Sequence, residues 1–508
     1  MRTVPGVETF GQAPGAAVGT PAPPRGTHAA FGHCSGAASR TSGRAGLTQY
    51  VPRRSVLASL PTRRRRVRSL SCSVALLTLS ACSVYRPLPL DARPGKHLAE
   101  LSVPASTLLP GGLRTHVFDP SDGLDVTEIA MLAVTQSPEL RVLRAQAKVG
   151  HAQAFAAGLL PDPVFGYSRD RPDAGQQGAS TAYTRGLSWD VGNLVTLAAR
   201  RTAGRRADEQ VDLGLLWSEW QVIAQARLTF VQIQRGRELV ARLEAEVTAL
   251  EPLAPHLKAA LERGVVSFDV ATTGLAAASD AARQLADARG SLATREQELR
   301  DLLGLAAGEP LPLIGELDLT ALDETSTAAA LEQLPQRRPD LRALAAGYGA
   351  QEARVRAAIL GQFPAVNVGV TRSHDNSGIS SRGLALSISL PLFDANRGAI
   401  RIERATREQL HEEYAQRLLT ARGEVARLLA TQQIFASREA ELAPFAASLA
   451  ATAERASQAY ARGATDWTVY LASRQSALAA AVELIAVRTS LAETRIALAT
   501  LLAGNWTA

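Results

Sequence analysis

Between Val366 and Leu390 apolar and polar side chains alternate with a period of two. Val366, Val368 and Val370 are separated by Asn367 and Gly369. After a polar turn, His374-Asp375-Asn376-Ser377-Gly378, the alternation resumes at Leu384, Leu386, Ile388 and Leu390, interleaved with Ala385, Ser387 and Ser389. Such a zigzag predicts two short strands with one apolar face and one small, polar face. A weaker pair comes earlier: Phe165 and Tyr167, then Leu187, Trp189 and Val191 against Ser188 and Asp190.

Elsewhere from about residue 125 the pattern is helical, rich in Ala, Leu, Gln, Glu and Arg. Helical segments are expected at roughly 125–158 and 326–360, each before a strand pair. Very long ones follow at 194–262 and 394–462, near 104 Å if continuous at about 1.5 Å per residue. Pro252, Pro255 and Pro444 should kink or break them. Turns at Gly264 and Gly463 lead into return helices at 268–304 and 466–503. Leu285, Leu292 and Leu299, and likewise Leu484, Leu491 and Leu498, recur every seventh residue, as coiled-coil packing requires. A return helix and a first helix together nearly equal one long helix, so two shorter helices could stack end to end beside it.

The elements come in the same order twice. Pro138-Glu139-Leu140-Arg141 recurs as Pro339-Asp340-Leu341-Arg342, 201 residues on, and Arg263-Gly264 recurs as Arg462-Gly463 after 199. That period is too long for a solenoid and predicts one large structural unit used twice, at 125–312 and 313–508.

Residues 1–81 read as a leader. The first 62 are non-periodic and rich in Gly, Ala, Pro, Ser, Thr and Arg, either disordered or an over-extended start. Arg63-Arg64-Arg65-Arg66-Val67-Arg68 then precedes an apolar run from Leu70 to Ala81, too short for a permanent membrane span. It ends Leu79-Ser80-Ala81-Cys82, which resembles a lipobox and marks Cys82 for lipidation. The alternative is an ordinary signal peptide followed by an unmodified cysteine. Ser83, rather than the Asp of an inner-membrane retention signal, points to the outer membrane. Residues 82–124 would form an N-terminal periplasmic segment.

The leader changes the charge argument. The chain carries 55 Lys and Arg against 48 Asp and Glu, a net +7, but residues 1–81 hold 11 Arg and one acid, Glu8. The remainder has 44 bases and 47 acids and is near neutral, so nucleic-acid binding loses its support. The other cysteines, Cys34 and Cys72, would leave with the leader, so neither a disulfide nor a cysteine metal site is expected.

Four strands cannot span a bilayer alone, because open sheet edges would leave backbone groups unpaired in hydrocarbon. Either the strands sit in water, or several chains pool them into one barrel. In the second case Val366, Val368, Val370, Leu384, Leu386 and Ile388 would face lipid and the small polar residues a lumen. Tyr167, Tyr183 and Trp189 would suit an interfacial belt.

Leu390-Pro391-Leu392-Phe393-Asp394, followed by Asn396-Arg397-Gly398, resembles the strand-to-helix signature of the TolC-type outer-membrane efflux proteins. Glu262-Arg263-Gly264-Val265-Val266-Ser267 and Tyr460-Ala461-Arg462-Gly463 resemble that family's periplasmic tip, and Cys82-Ser83-Val84-Tyr85-Arg86-Pro87 its lipidated members. The resemblance covers about 125–504. It implies an α+β membrane protein, with a long α-helical coiled-coil barrel joined to a twelve-stranded β-barrel shared by a homotrimer. A periplasmic adaptor protein and an inner-membrane pump would dock at the tip, at Gly264, Ser267, Asp269, Gly463 and Asp466. The bland reading of those residues is helix capping. Leu159-Leu160-Pro161-Asp162-Pro163 is similar to the branch that exports heavy metals and cations. The family often has Asp six residues past the tip glycine. Here Val270 and Val469 stand there, so an acidic aperture ring is not expected. In the first half, Asp190-Val191-Gly192-Asn193 replaces the strand-to-helix signature.

No catalytic cluster, phosphate loop or dinucleotide fingerprint is present. An enzyme, a cofactor and a bound metal are therefore not expected. His374-Asp375 reads as a solvated loop pair. A passive export channel is the leading expectation, for metal cations or drugs. The alternative is a periplasmic coiled-coil scaffold lipoprotein without channel activity.

Overall fold

The computed structural model describes residues 85–90, 95–103, 113, 116–173, 178, 180–317 and 324–502. The leader and Cys82 lie outside them. The helices and strands belong to the unit that begins at Leu90.

Helices α1 (Val126–Gln136) and α2 (Pro138–Ala157) lead to strands β1 (Val164–Asp170) and β2 (Ala182–Asp190). Then come α3 (Asn193–Leu250), α4 (Leu253–Glu262) and α5 (Phe268–Leu303). The second series is α6 (Glu324–Arg337), α7 (Pro339–Leu360), β3 (Val366–His374), β4 (Ser380–Ile388), α8 (Arg397–Ala461) and α9 (Trp467–Leu501).

Three expected helices differ. The segments 125–158 and 326–360 are each two helices, divided at Ser137 and Arg338. The residue before a proline is pushed out of the helical region, and Pro138 and Pro339 then sit in the first turn of the next helix. The stretch 194–262 breaks at Pro252, whereas α8 starts at Arg397 and runs unbroken through Pro444. In the first case Pro255 lies only three residues beyond Pro252, so two amide donors are missing from one turn. Pro444 removes only one, and α8 continues through it.

The helix α3 packs against α2 and α7 near the sheet, α1 midway, and α5 and α9 further down. The helix α5 ends where α2 begins. Gly304, at φ 68°, closes α5, and a Cβ there would lie 3.2 Å from the Gln136 carbonyl and 3.3 Å from Pro138. The two shorter helices thus lie in line along α3. Near the sheet, close approach uses glycine: a Cβ on Gly204 would lie 2.7 Å from the Ala154 carbonyl.

The largest apolar cluster sits midway along α3, where Val222, Phe230 and Ile233 meet Ile129, Leu132, Leu299 and Leu303. Two rungs of backbone pairing tie the segment before α1 to the connector after α5. Lys96 donates to Gly304 and Leu124 to Pro312, and Ala306 and Ile314 donate back to Lys96 and Leu124. Among the described residues no helix is long and apolar enough to cross a membrane.

Candidate functional site: the strand face and the helical tips

The four strands form one antiparallel sheet in the order β1-β2-β3-β4, leaving β1 and β4 as its edges. The register sorts the side chains. Val366 pairs with Ile388, Val368 with Leu386 and Trp189, and Val370 with Leu384 and Leu187, which pairs in turn with Phe165. Directly opposed residues point to the same side of a sheet. All six strand residues singled out in the sequence therefore share one face, with Phe165, Tyr167, Tyr183, Leu187 and Trp189. Within one chain much of this face is uncovered: Phe165 is 68% and Leu384 76% exposed, while Val366, Val368 and Trp189 are half-buried. The opposite face carries Gly166, Ser168, Thr184, Gly186, Ser188, Asn367, Gly369, Thr371, Ser373, Gly383 and Ser387.

His374 ends β3 rather than lying in the loop, and its ring stacks on Tyr183 at 5.2 Å. Asp375 forms the turn, its Oδ1 accepting from the amides of Ser377 and Ile379.

Each strand-to-helix junction is built by different chemistry. In the first, Val191 and Gly192 both donate to the Val366 carbonyl. A Cβ on Gly192 would lie 2.8 Å from the Val366 nitrogen, so only glycine fits. In the second, Ala395 and Asn396 adopt φ 46° and 56°. Asn396 donates its Nδ2 to the Ala358 carbonyl at 2.7 Å, pinning the start of α8 to the end of α7. Asparagine is among the residues that tolerate this left-handed conformation. That explains Asn396 in the signature.

At the other end of the helices the two tips are built alike. Gly264 (φ 67°) donates to Leu261 and Val265 to Ala260; Gly463 (φ 70°) donates to Tyr460 and Ala464 to Ala459. Each is a Schellman turn, whose left-handed position favours glycine. The return helices start differently. Asp466 caps α9 by accepting from the Val469 amide at 2.9 Å. Ser267 occupies the corresponding position before α5, but its side chain makes no capping bond. Its hydroxyl instead bonds Asp269, holding that carboxyl below its ordinary pKa. Thr468, followed by the Val469 amide, lowers Asp466 in the same way.

Two features of the tips escape the sequence pattern. Val265 and Phe268 are exposed apolar residues beside the first turn. Trp467, at the start of α9, reaches across to the other hairpin, where a Cβ on Gly274 would lie 2.1 Å from its ring. Trp467 packs on a cluster of Leu250, Ala277, Ala281 and Leu471. A little above, Arg474 of α9 pairs with Glu246 of α3 at 2.6 Å and lies over the Tyr470 ring. Tyr470 stacks on Tyr460 at 4.9 Å. The only signal for Phe268 was an aromatic next to a turn, which periodicity does not detect.

His116, Asp125 and Glu128 converge before α1, with His116 Nε2 3.3 Å from Asp125 Oδ2. Backbone amides already engage both carboxylates. Asp125 accepts from Thr127 and Glu128, and Glu128 from Asp119 and Asp125. The group is a capping box with a histidine beside it.

Residues 330–504 match the family described as Outer membrane efflux protein. The cation efflux system protein CusC of Escherichia coli O6:H1 is 28% identical over 233 residues, 44% of this chain and 50% of CusC. The matched stretch thus spans half the length of that relative. A crystal structure of CusC superposes at a TM-score of 0.63 with 19% identity, covering 83% of this chain and 100% of that one. The Campylobacter jejuni CmeC outer membrane channel superposes at 0.63 with 16% identity, over 84% of this chain and 94% of that one. At these identities the likeness is one of fold: a TolC-like helical barrel joined to a β part. Residues 330–504, about a third of the chain, thus resemble the outer membrane efflux proteins in sequence, and the chain shares the fold of these channels over most of its length.

Proposed function

We propose that this chain is the outer-membrane exit duct of an export system, built as a homotrimer whose subunits each contribute four strands. The observation that carries the reading is the sheet: one face wholly apolar over three rows, the other mostly small and polar apart from Val164, with two open edges. An apolar face that broad calls for lipid, and open edges in lipid cost several kcal/mol per unpaired group. Neighbouring copies pair β4 of one chain with β1 of the next. The six residues Val366, Val368, Val370, Leu384, Leu386 and Ile388 then meet hydrocarbon, and the glycine, serine and threonine face lines the passage. Residues 125–312 and 313–508 act as two copies of one unit, so that the helices continue the passage into the periplasm. Cys82 carries the lipid anchor.

The tip docks a periplasmic adaptor coupled to an inner-membrane pump. Gly264, Ser267, Asp269, Gly463 and Asp466 form the exposed turns, and Phe268 and Val265 add an apolar contact. Metal cations are the first cargo class to test, since CusC is a cation efflux protein, with drug-like molecules second.

Purified protein in a planar bilayer should give discrete ion conductance. A water-soluble monomer without conductance would make it a coiled-coil scaffold instead. Deleting the gene and challenging cells with a panel of metals and drugs identifies the cargo. Cys82→Ala should weaken membrane association if the anchor is real.

A further inference from the structure

Beyond its apolar rows, the same face of the sheet carries an unbroken row of arginines. Arg185 on β2 pairs with Arg372 on β3, and Arg372 with Arg382 on β4; Tyr167 on β1 completes the row. The next row holds Arg169, Tyr183 and His374. Charge is segregated between the two faces of the strands. All four arginines lie with the apolar residues, and Asp170 and Asp190 lie opposite.

Three like charges directly across from one another destabilise a sheet unless something neutralises them. Among the described residues no carboxylate pairs with Arg185, Arg372 or Arg382; the one contact they make with a ring is Arg185 over Tyr183, at 5.1 Å. Arg185, Arg372 and Arg382 line a shallow depression together with Phe165, Val370 and Leu384. A row of cations beside a row of hydrocarbon describes an amphiphile with an anionic head.

The position in the fold identifies the source. The row lies on the hairpin-loop side of the apolar band, away from the helices. If the helices reach into the periplasm, this is the outer-leaflet side. A guanidinium there cannot lie in hydrocarbon, and its side chain reaches towards the headgroups.

We infer that Arg185, Arg372 and Arg382 form a binding site for a phosphorylated headgroup of an outer-leaflet lipid, with its acyl chain laid over Phe165, Val370 and Leu384. The inference rests on the proposed barrel. Guanidinium forks match phosphate oxygens bidentately, and successive arginines at the strand spacing of about 4.8 Å can share one multiply phosphorylated headgroup. Each copy repeats the row, so a barrel would carry it as a belt.

The test uses the full-length protein in phosphatidylcholine nanodiscs, titrated with diphosphoryl lipid A or with lipid A stripped of both phosphates. Retained lipid is counted by native mass spectrometry. The wild type should prefer the phosphorylated lipid by roughly tenfold or more, the ratio that loss of a few charge-assisted contacts implies. R185Q/R372Q/R382Q should lose the preference, and the corresponding Arg→Lys triple variant should keep part of it. Equal binding of both lipids by the wild type overturns the inference, whether or not any variant folds. A triple variant that alters ion selectivity but not lipid preference would place the arginines on the lumen and overturn it too. Planar-bilayer conductance separates the two failures. Conducting protein without lipid preference sinks only the lipid site; protein that neither inserts nor conducts sinks the channel reading with it.

Discussion

Two helices open on nearly the same four residues and are held in opposite ways. Pro138-Glu139-Leu140-Arg141 starts α2, and Pro339-Asp340-Leu341-Arg342 starts α7. Before α2, Ser137 is an ordinary cap whose Oγ accepts from the Leu140 amide, and Glu139 is exposed. Before α7 stands Arg338, with no cap bond and no exposed surface. Its guanidinium forks onto Asp340, at 2.9 and 2.6 Å, and lies over the Trp217 ring of α3. Arg417 of α8 donates to the same carboxylate at 3.0 Å. One tetrapeptide therefore starts a helix in the first half and clamps three helices together in the second. A sequence match carries over the backbone role of a motif, but its side chains take their energetics from whatever the fold packs against them.

The largest effect should come from breaking that difference. Asp340→Ala leaves Arg338 buried without its partner and should cost about 3–5 kcal/mol, whereas Glu139→Ala should stay within about 0.5 kcal/mol. Chemical denaturation of the detergent-solubilised protein checks both, and equal losses would erase the contrast. The comparison also has a pH signature. Burial works to raise the Asp340 pKa, but the hydrogen bonds and charges of Arg338 and Arg417 outweigh it and hold it below its ordinary 3.8. A group depressed in the folded state stabilises fully above its unfolded pKa and loses that contribution as pH falls through the folded one. The gap between wild type and Asp340→Ala should therefore narrow only in strong acid and stay constant from about pH 5 to neutrality. A gap that closed near neutrality would assign the effect to another group.

The strand-to-helix junctions offer the next contrast. Gly192→Ala meets backbone at 2.8 Å and should lose about 1–3 kcal/mol. Gly398→Ala, in open space beside the other junction, should lose far less. Thermal midpoints of the two variants, measured side by side, decide it.

At the tips the expectation is symmetry in one place and asymmetry in the next. Gly264→Ala and Gly463→Ala should each cost about 1–2 kcal/mol, since both force a Cβ into the left-handed region. Hydrogen exchange of the turn amides would show whether one tip is tighter. The caps beyond them differ. Asp466→Ala removes a capping bond to the Val469 amide and should cost about 1 kcal/mol, while Ser267→Ala removes no capping bond, only the one to the exposed Asp269, and should cost clearly less by the same measurement.

The order of residues along the chain is enough to set the kinds of elements and their succession. Period-two alternation, seven-residue leucine spacing and glycine after arginine are local signals, and each registers a backbone preference that needs no partner. The six residues of the apolar strand face were legible for that reason, as were Gly264 and Gly463. Proline effects were half legible: the chain marks Pro252, Pro255 and Pro444 as disruptive, but that the helix breaks at Pro252 and continues through Pro444 is seen only in the fold. The arginine row needed the folded chain, since Arg185, Arg372 and Arg382 meet only when strand register aligns three separate segments. The same holds for Trp467 on Gly274 and for Arg338, Asp340 and Arg417. Those contacts join residues from different helices, and side-chain packing and charge pairing across space leave no periodic trace along the chain.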